Sequence, residues 1–163
     1  MVDTVLFSSK QQEWETPDSL FDPLNEEFHF TLDGAASPEN YKVDKFCAID
    51  GTYFVLNGKP VLFSDLDGLT YSYQSEVVWL NPPYGRTETI KWVRKAYEES
   101  RGTATVVVLL PSRTDTKWWH EYVLPHADEI RYIKGRIKFE GASGPAPFPS
   151  VLVIFRRKDE VSR

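Results

Sequence analysis

Two periodicities of apolar residues alternate along the chain, one typical of buried strands and the other of amphipathic helices. Continuous apolar runs predict buried strands over three segments: 75–80, 104–111 and 151–157. Apolar residues three and four positions apart predict a helix within each of three others: 14–28, 87–100 and 114–124. Strands that alternate with helices predict an α/β fold, with a mostly parallel sheet and helices on both faces.

The ends of these helices carry local signals. Thr16 is suited to cap the first helix, and Pro17 to occupy its first position. Gly102 follows the second helix as a stop. The third helix is predicted to begin at Thr114 or Asp115.

Shorter patterns predict two further β elements in the first half of the chain. Alternation at 28–33 predicts a strand that ends at Asp33-Gly34. Two β-type runs about Asn57-Gly58 predict a hairpin over 52–65. Residues 37–47 between them predict a polar connection.

Charge restricts the partners of the protein. The net charge of −5 argues against strong non-specific binding to nucleic acid, which depends on neutralising phosphates. Segment 129–141 nevertheless predicts a strand with Gly135 inside it, and alternate positions of that strand carry Lys134, Arg136 and Lys138. These cations would share one face, which allows a local basic surface.

Composition indicates a globular protein. A chain of 163 residues can form one domain with a sizeable core, and we predict an N-terminal arm (1–13), a single domain (14–157) and a C-terminal tail (158–163). One cysteine excludes a disulfide scaffold, and the three scattered histidines suggest no metal site. Neither a signal peptide nor an apolar run of transmembrane length is visible, which predicts a soluble cytoplasmic protein.

The strand at 75–80 runs into Asn81-Pro82-Pro83-Tyr84, the most specific chemistry in the sequence. Because each proline pushes the preceding residue towards extended geometry, the Asn81 side chain and the Pro82 carbonyl become two fixed acceptors. Two such acceptors suit an amino group, and holding both of its hydrogens makes its nitrogen a nucleophile. The Tyr84 ring can stack on the planar group that carries this amine. The alternative is a strand-ending proline turn with a tyrosine in the core.

The segment LNPPYGR resembles motif IV of the amino-group methyltransferases that use S-adenosylmethionine. The chain is most similar to the small phage-type DNA N6-adenine methyltransferases. The resemblance covers roughly residues 14–155 and rests on six blocks in one order: WETPDSLFDPLNEEFHFTLDGAAS, DGLTYS, VWLNPPYGR, LLPSRTDTKWWHE, IKGRIKF and APFPSVLVIF. It implies a Rossmann-like class I methyltransferase fold, in a minimal version without a separate target-recognition domain.

The same resemblance implies where the cofactor S-adenosylmethionine binds. The implied cofactor-binding residues are Trp14, Thr16, Pro17, Asp33, Ala35, Asn40, Asp67, Gly68, Leu69 and Asn81. The turn at 14–17 would contact the methionine end of the cofactor, and Asp67 would accept from its adenine amino group. The family's usual Gly-x-Gly loop is missing, and ASPEN stands in its place. Taken alone, Thr16-Pro17 is only a helix start, and Asp67-Gly68 only a turn.

The resemblance also implies the surface that contacts DNA. The implied residues are Arg86, Arg113, Lys134, Arg136, Lys138 and Phe139. Arg113 would hold a DNA phosphate or the cofactor carboxylate, or else pair with Asp115. Phe139 would stack on the target base, although strand parity by itself favours a core position.

Taken together, the resemblance implies a DNA adenine-N6 methyltransferase that acts on double-stranded DNA, in the host cytoplasm if phage-encoded. The target adenine would leave the stack, with Asn81, Pro82, Pro83 and Tyr84 as the catalytic residues and no metal. A homodimer is compatible with so short a chain. The alternative acceptors are cytosine N4, an RNA base and a protein glutamine. A further alternative is a non-catalytic nucleic-acid-binding protein with this fold.

Overall fold

The computed structural model describes residues 14–158, so the predicted arm (1–13) and most of the predicted tail lie outside the described residues. The strands are β1 (Leu32–Asp33), β2 (Lys45–Ala48), β3 (Gly51–Leu56), β4 (Lys59–Ser64), β5 (Val77–Leu80), β6 (Thr105–Pro111), β7 (Glu129–Tyr132) and β8 (Ser150–Phe155). The helices are α1 (Asp18–Phe28), α2 (Glu88–Ser100) and α3 (Leu124–His126), and a π-helical turn at Trp119–Val123 leads into α3.

The strands form one sheet in the order β4-β3-β2-β1-β5-β6-β8-β7. The sheet is mixed: β2, β1, β5 and β6 run parallel, and the strands on both flanks are antiparallel to their neighbours. The predicted mostly parallel sheet is therefore correct for these four strands only. Their carboxyl ends meet at one edge, which we call the carboxyl edge, where ligands of α/β sheets bind.

Helices cover both faces of the sheet, as predicted. On one face, Trp92 and Val93 of α2 pack with Trp119 against strand residues that include Val78 and Val106. On the other face, Phe21 and Leu24 of α1 pack against the alternate strand residues, among them Trp79 and Val107. Adjacent residues of β5 and β6 thus point into opposite cores, which explains why both strands appear as unbroken apolar runs in the sequence.

The hairpin prediction is confirmed. Strands β3 and β4 pair antiparallel about Asn57 and Gly58, whose φ angles are 52° and 77°. Both angles lie in the left-handed region, as a two-residue hairpin turn of this type requires.

The start of α1 differs from the prediction. Pro17 occupies the N-cap position rather than the first helical position, and no side chain caps the helix. Thr16 does not cap because its hydroxyl lies 3.0 Å from the side-chain nitrogen of Asn81 instead. Tertiary contact has thus replaced the local cap.

Three other element boundaries were wrong. The helix predicted over 114–124 begins at Lys117, and the Thr116 hydroxyl lies 3.3 Å from the Trp119 nitrogen. The strand predicted over 28–33 is only Leu32–Asp33, because α1 continues to Phe28. The polar connection at 37–47 contains the start of β2, which pairs with β1 through Phe46 and Asp33.

The strand predicted over 129–141 ends at Tyr132. Gly135 has a φ of +75° and breaks the extended path, so the three cations that follow β7 do not lie on a strand. The alternation of exposure persists, because Ile137 and Phe139 are buried while Lys138 is exposed. The segment is held by contacts outside the sheet, including a hydrogen bond from the Glu140 nitrogen to the Glu15 carbonyl.

Candidate active site

A cleft of about 390 Å³ opens at the carboxyl edge, over the ends of β1, β2 and β5. Asp33 ends β1, and Asn81 follows β5. Because β1 and β5 pair in parallel, with Asp33 opposite Trp79, these two polar side chains reach the same cleft. The two strand ends that the sequence singled out thus lie at one cleft.

The structure brings most of the sequence-predicted cofactor residues together. The predicted residues that line the cleft are Trp14, Thr16, Asp33, Ala35, Asn40, Asp67, Gly68, Leu69 and Asn81. Pro17 does not line it and instead begins α1. The segments that carry these residues are far apart in the sequence, so their convergence follows from the order of the strands.

Sequence reasoning missed several lining residues. Among them are Lys42, Cys47, Ile49, Glu88 and Trp92. Cys47 and Ile49 were missed because β2 was taken for a polar connection, and recognition of that strand would have placed its carboxyl end here. Glu88 and Trp92 lie on α2, which the sequence did predict, but its position beside the cleft is a tertiary relationship.

Hydrogen bonds fix the orientation of the Asn81 side chain. Its amide nitrogen donates to the Trp14 carbonyl and to Thr16 Oγ1, the latter at 3.0 Å. The amide oxygen lies 3.0 Å from the Tyr84 hydroxyl. The oxygen and the nitrogen of the amide lie on opposite sides of the group. Because Trp14 and Thr16 hold the nitrogen, Oδ1 is directed towards Tyr84.

Two acceptors are available beside Asn81. One is the second lone pair of its own Oδ1. The other is the carbonyl of Pro82, which accepts no hydrogen bond from any residue of the described range 14–158. Pro82 itself is buried, and Pro83 lines the cleft. The two residues after Asn81 therefore add no backbone donor to this segment, because neither proline has an N–H.

Tyr84 is a half-buried residue close to Asn81, and its hydroxyl is turned inwards. The hydroxyl lies 3.0 Å from Asn81 Oδ1 and 2.9 Å from the Leu109 carbonyl. Burial raises the pKa of the Tyr84 hydroxyl, so it stays protonated and donates at physiological pH. The ring meets Phe148 edge-on, with centroids 5.7 Å apart.

Asp33 is a buried carboxyl group at the floor of the cleft. Its oxygens accept from the backbone nitrogens of Lys42 at 3.0 Å and Ala35 at 3.3 Å. Burial dominates these hydrogen bonds and raises the pKa of Asp33 from 3.8 to about 7. This side chain shapes the loop after β1, in which Asn40 Oδ1 accepts from the Ser37 nitrogen at 2.7 Å.

The turn at 67–69 packs closely on the loop after β1. A Cβ atom at Gly68 would lie 2.0 Å from the Gly34 carbonyl oxygen, so only glycine fits there. Asp67 Oδ1 accepts from the Leu69 nitrogen at 3.1 Å, as in an ordinary turn. The glycine signal in the sequence thus has a packing cause in addition to turn geometry.

Exposed cations and aromatic rings lie along the same edge. Because β7 runs parallel to β6, the segment between β7 and β8 returns across the carboxyl edge. The predicted DNA-contacting cations are all exposed: Arg86, Arg113, Lys134, Arg136 and Lys138. Within the described residues Arg113 forms no ion pair, so the alternative pairing with Asp115 is not present.

Phe139 is a core residue, 1% exposed, and offers no ring face to a base in this structure. Its ring packs on Trp14 with centroids 5.1 Å apart, and Phe148 packs edge-on against Trp14 at 5.7 Å. The base-stacking role predicted for Phe139 is therefore not supported by its position. The partly exposed Phe148, which contacts Tyr84, was missed by sequence reasoning.

The described residues contain no group of three or more His, Cys, Asp or Glu side chains placed to hold a metal ion. No helix among them is long and apolar enough to cross a membrane.

Comparison with known proteins places the site in context. The model of the family "DNA N-6-adenine-methyltransferase (Dam)" matches residues 3–161. A DNA N-6-adenine-methyltransferase of Haemophilus phage HP1 is 30% identical over 154 residues, covering 89% of this chain and 79% of that protein. A protein of the same name from Escherichia phage T1 is 29% identical over 122 residues, which is 74% of this chain. The matched region spans 44% of the T1 protein, so this relative is considerably longer.

Proposed function

Because the chain belongs to the DNA N-6-adenine-methyltransferase family, we propose that it transfers a methyl group from S-adenosylmethionine to the N6 amine of adenine in DNA. The observation that carries this proposal is the Asn81 side chain, which lines the cleft and is held by Thr16 at its nitrogen and by Tyr84 at its oxygen. Thr16, which holds the Asn81 amide, lies 65 residues away in the sequence. A protein that only bound the cofactor would not require the amide to be oriented in this way.

The strand order supports a Rossmann-like class I methyltransferase fold. Four parallel strands place the cleft over the ends of β1 and β5, and β8 runs antiparallel between β6 and β7. In open α/β sheets of this kind, ligands bind beyond the carboxyl ends, where successive connections leave on opposite faces.

The charges that line the cleft support S-adenosylmethionine as its ligand. The acidic lining residues are Glu15, Asp33, Asp67 and Glu88, and Lys42 is the one cation among the lining residues in the described part of the chain. Such a site repels a DNA phosphate and suits a ligand with a net positive charge, such as a sulfonium that also carries an amine and one carboxylate. S-adenosylmethionine supplies an electrophilic methyl group when bound.

The residues of the chain then act on the acceptor amine. Asn81 Oδ1 and the Pro82 carbonyl accept its two hydrogens, which localises the lone pair of the nitrogen and aims it into the cleft. The half-buried Tyr84 ring, three residues after Asn81, would stack on the base. Much of the rate enhancement would come from this positioning, because the groups that hold the amine are fixed before it arrives.

The DNA would approach the carboxyl edge with its target adenine out of the stack, because the amine is out of reach inside the duplex. The exposed cations at Arg113, Lys134, Arg136 and Lys138 would contact phosphates near the cleft. They lie outside the cleft lining, which separates a cationic outer surface from an acidic interior.

Methyl transfer from labelled S-adenosylmethionine to unmethylated duplex DNA tests the proposal. After digestion to nucleosides we expect N6-methyl-2′-deoxyadenosine, lost with Asn81→Ala and retained with Gln74→Ala, an exposed amide outside the cleft. N4-methylcytosine would overturn the base assignment. Transfer only to RNA or to protein glutamine would overturn the DNA substrate, and full activity of Asn81→Ala would overturn the mechanism.

A further inference from the structure

We propose that Lys42 recognises the carboxylate of the cofactor and so makes the cleft specific for an intact amino-acid end. This inference rests on the proposed function, since it assigns one residue to one group of S-adenosylmethionine. Lys42 belongs to no sequence motif and is not among the predicted cofactor residues. It lies in the connection between β1 and β2.

Charge complementarity is the first argument. Among the cleft-lining residues of the range 14–158, Lys42 is the only cation, set among four acids. The cofactor is the reverse, with two cationic groups and one carboxylate. The acids can offset its sulfonium and amine, whereas its carboxylate would meet repulsion everywhere in the cleft except at Lys42.

The second argument is that the Lys42 ammonium has N–H donors left for a ligand. The Lys42 side chain is 12% exposed, so most of it is removed from water, whereas that of its partner Asp18 is 73% exposed. Within the described residues its one hydrogen-bond acceptor is Asp18 Oδ1 at 2.9 Å, while Glu15 Oε1 is 3.7 Å away. An ammonium has three N–H bonds, so donors remain for a ligand carboxylate at this poorly solvated position.

The position of Lys42 within the cleft is the third argument. Glu15, its ion-pair partner, belongs to the 14–17 turn that is predicted to contact the methionine end of the cofactor. The Lys42 backbone nitrogen also donates to Asp33, which holds this residue against the loop after β1. The side chain is thus anchored at both ends, by Asp33 at its backbone and by Asp18 at its ammonium.

Binding, rather than activity, tests this assignment. Dissociation constants would be measured by calorimetry for S-adenosylmethionine and for its decarboxylated form, which keeps the sulfonium and the amine but lacks the carboxylate. The wild-type protein should prefer the intact cofactor by about tenfold to a hundredfold, as expected for a hydrogen-bonded charge pair in a poorly solvated site. Lys42→Met should lose most of this preference while its affinity for the decarboxylated form stays within about threefold of wild type.

Control variants separate the possible results. Lys59→Met, an exposed lysine on β4 outside the cleft, should keep the full preference. Asp18→Asn, which keeps an acceptor but removes the exposed negative charge paired with the ammonium, should keep or increase this preference. This variant tests the inference even if Lys42→Met fails to fold. Equal affinities of the wild type for both ligands, an unchanged preference in Lys42→Met, or a lost preference in Asp18→Asn would each overturn the inference. Absence of wild-type binding to either ligand would instead overturn the proposed cofactor.

Discussion

The hydroxyl of Tyr84 lies 3.0 Å from the side-chain oxygen of Asn81 and 2.9 Å from the carbonyl of Leu109. One hydroxyl has one proton and can satisfy either acceptor. In the absence of substrate, the Tyr84 hydroxyl can donate to Asn81 Oδ1. When a substrate amine donates to that oxygen, the hydroxyl can donate to the Leu109 carbonyl instead. On the proposed function, the Tyr84 hydroxyl would act separately from stacking by its ring.

Tyr84→Phe separates these two functions. It keeps the ring and removes the hydrogen bond that helps to hold Asn81, so kcat should fall by about twofold to tenfold, the equivalent of one ordinary hydrogen bond. The dissociation constant of the cofactor should not change. Tyr84→Ala, which also removes the ring, should lower kcat further. Equal kcat values for wild type and Tyr84→Phe would show that the hydroxyl has no role.

Thr16→Val tests the orientation of Asn81 from its other side. The variant removes an acceptor for the Asn81 amide nitrogen in a position that is only 2% exposed. Leaving a buried donor unpaired should cost about 1–3 kcal/mol of stability and lower kcat, because the amide loses its fixed orientation. Thr16→Ser keeps the hydroxyl and should retain most of both. Chemical denaturation and steady-state kinetics measure the two effects, and similar behaviour of Val and Ser would contradict the prediction.

The pKa of Asp33 predicts a pH dependence of stability. Burial raises this pKa from 3.8 to about 7, so between these values the folded protein holds a proton that the unfolded chain releases. The contribution of Asp33 to the free energy of unfolding should therefore fall as pH rises from about 4 to about 7.

The measurement compares wild type with Asp33→Asn in urea at several pH values. Glu27 and Glu129, whose pKa values are lowered by hydrogen bonds to Arg131, act in the opposite direction, so the difference between the two proteins is the relevant quantity. The stability of wild type relative to Asp33→Asn should decline across this window. Asp115→Asn, at an exposed aspartate, should show no such trend. A difference that does not vary with pH would contradict the assignment.

The cations after β7 predict the salt dependence of DNA binding. If Lys134, Arg136 and Lys138 contact phosphates, the slope of log K against log salt should become less steep by about 1 for each cation replaced by glutamine. The cofactor dissociation constant should not change, since none of these residues lines the cleft. Lys91→Gln, on the exposed side of α2, is the matched control. An unchanged slope in the triple variant would place the DNA elsewhere.

Local patterns were sufficient where an element is decided by its own residues. The runs that became β5, β6 and β8 are apolar on both faces because each strand is buried between two layers of helix and loop, and that pattern is visible without a structure. The hairpin was predictable since Asn57-Gly58 accepts the backbone geometry of its turn at little cost. The acceptors of the Asn81-Pro82 segment were predictable because proline acts on its immediate neighbour.

Other predictions failed because distant contacts outweighed local preference. Thr16 had the chemistry of a helix cap, yet its hydroxyl was drawn to Asn81. For Phe139 it was the resemblance that implied base stacking, whereas strand parity favoured the core position in which it packs on Trp14. The segment after β7 alternated as a strand does, but Gly135 turned it away from the sheet.

The sequence by itself therefore determined the buried strands β5, β6 and β8, the hairpin of β3 and β4, and the family that the chain resembles, because these depend on interactions between near neighbours. Only the tertiary structure decided that Lys42 is the cation of an acidic cleft and that Tyr84 and Thr16 hold Asn81 from opposite sides. Those relationships join residues from different strands and loops. Their distances depend on the order in which the strands pair, which no local pattern specifies.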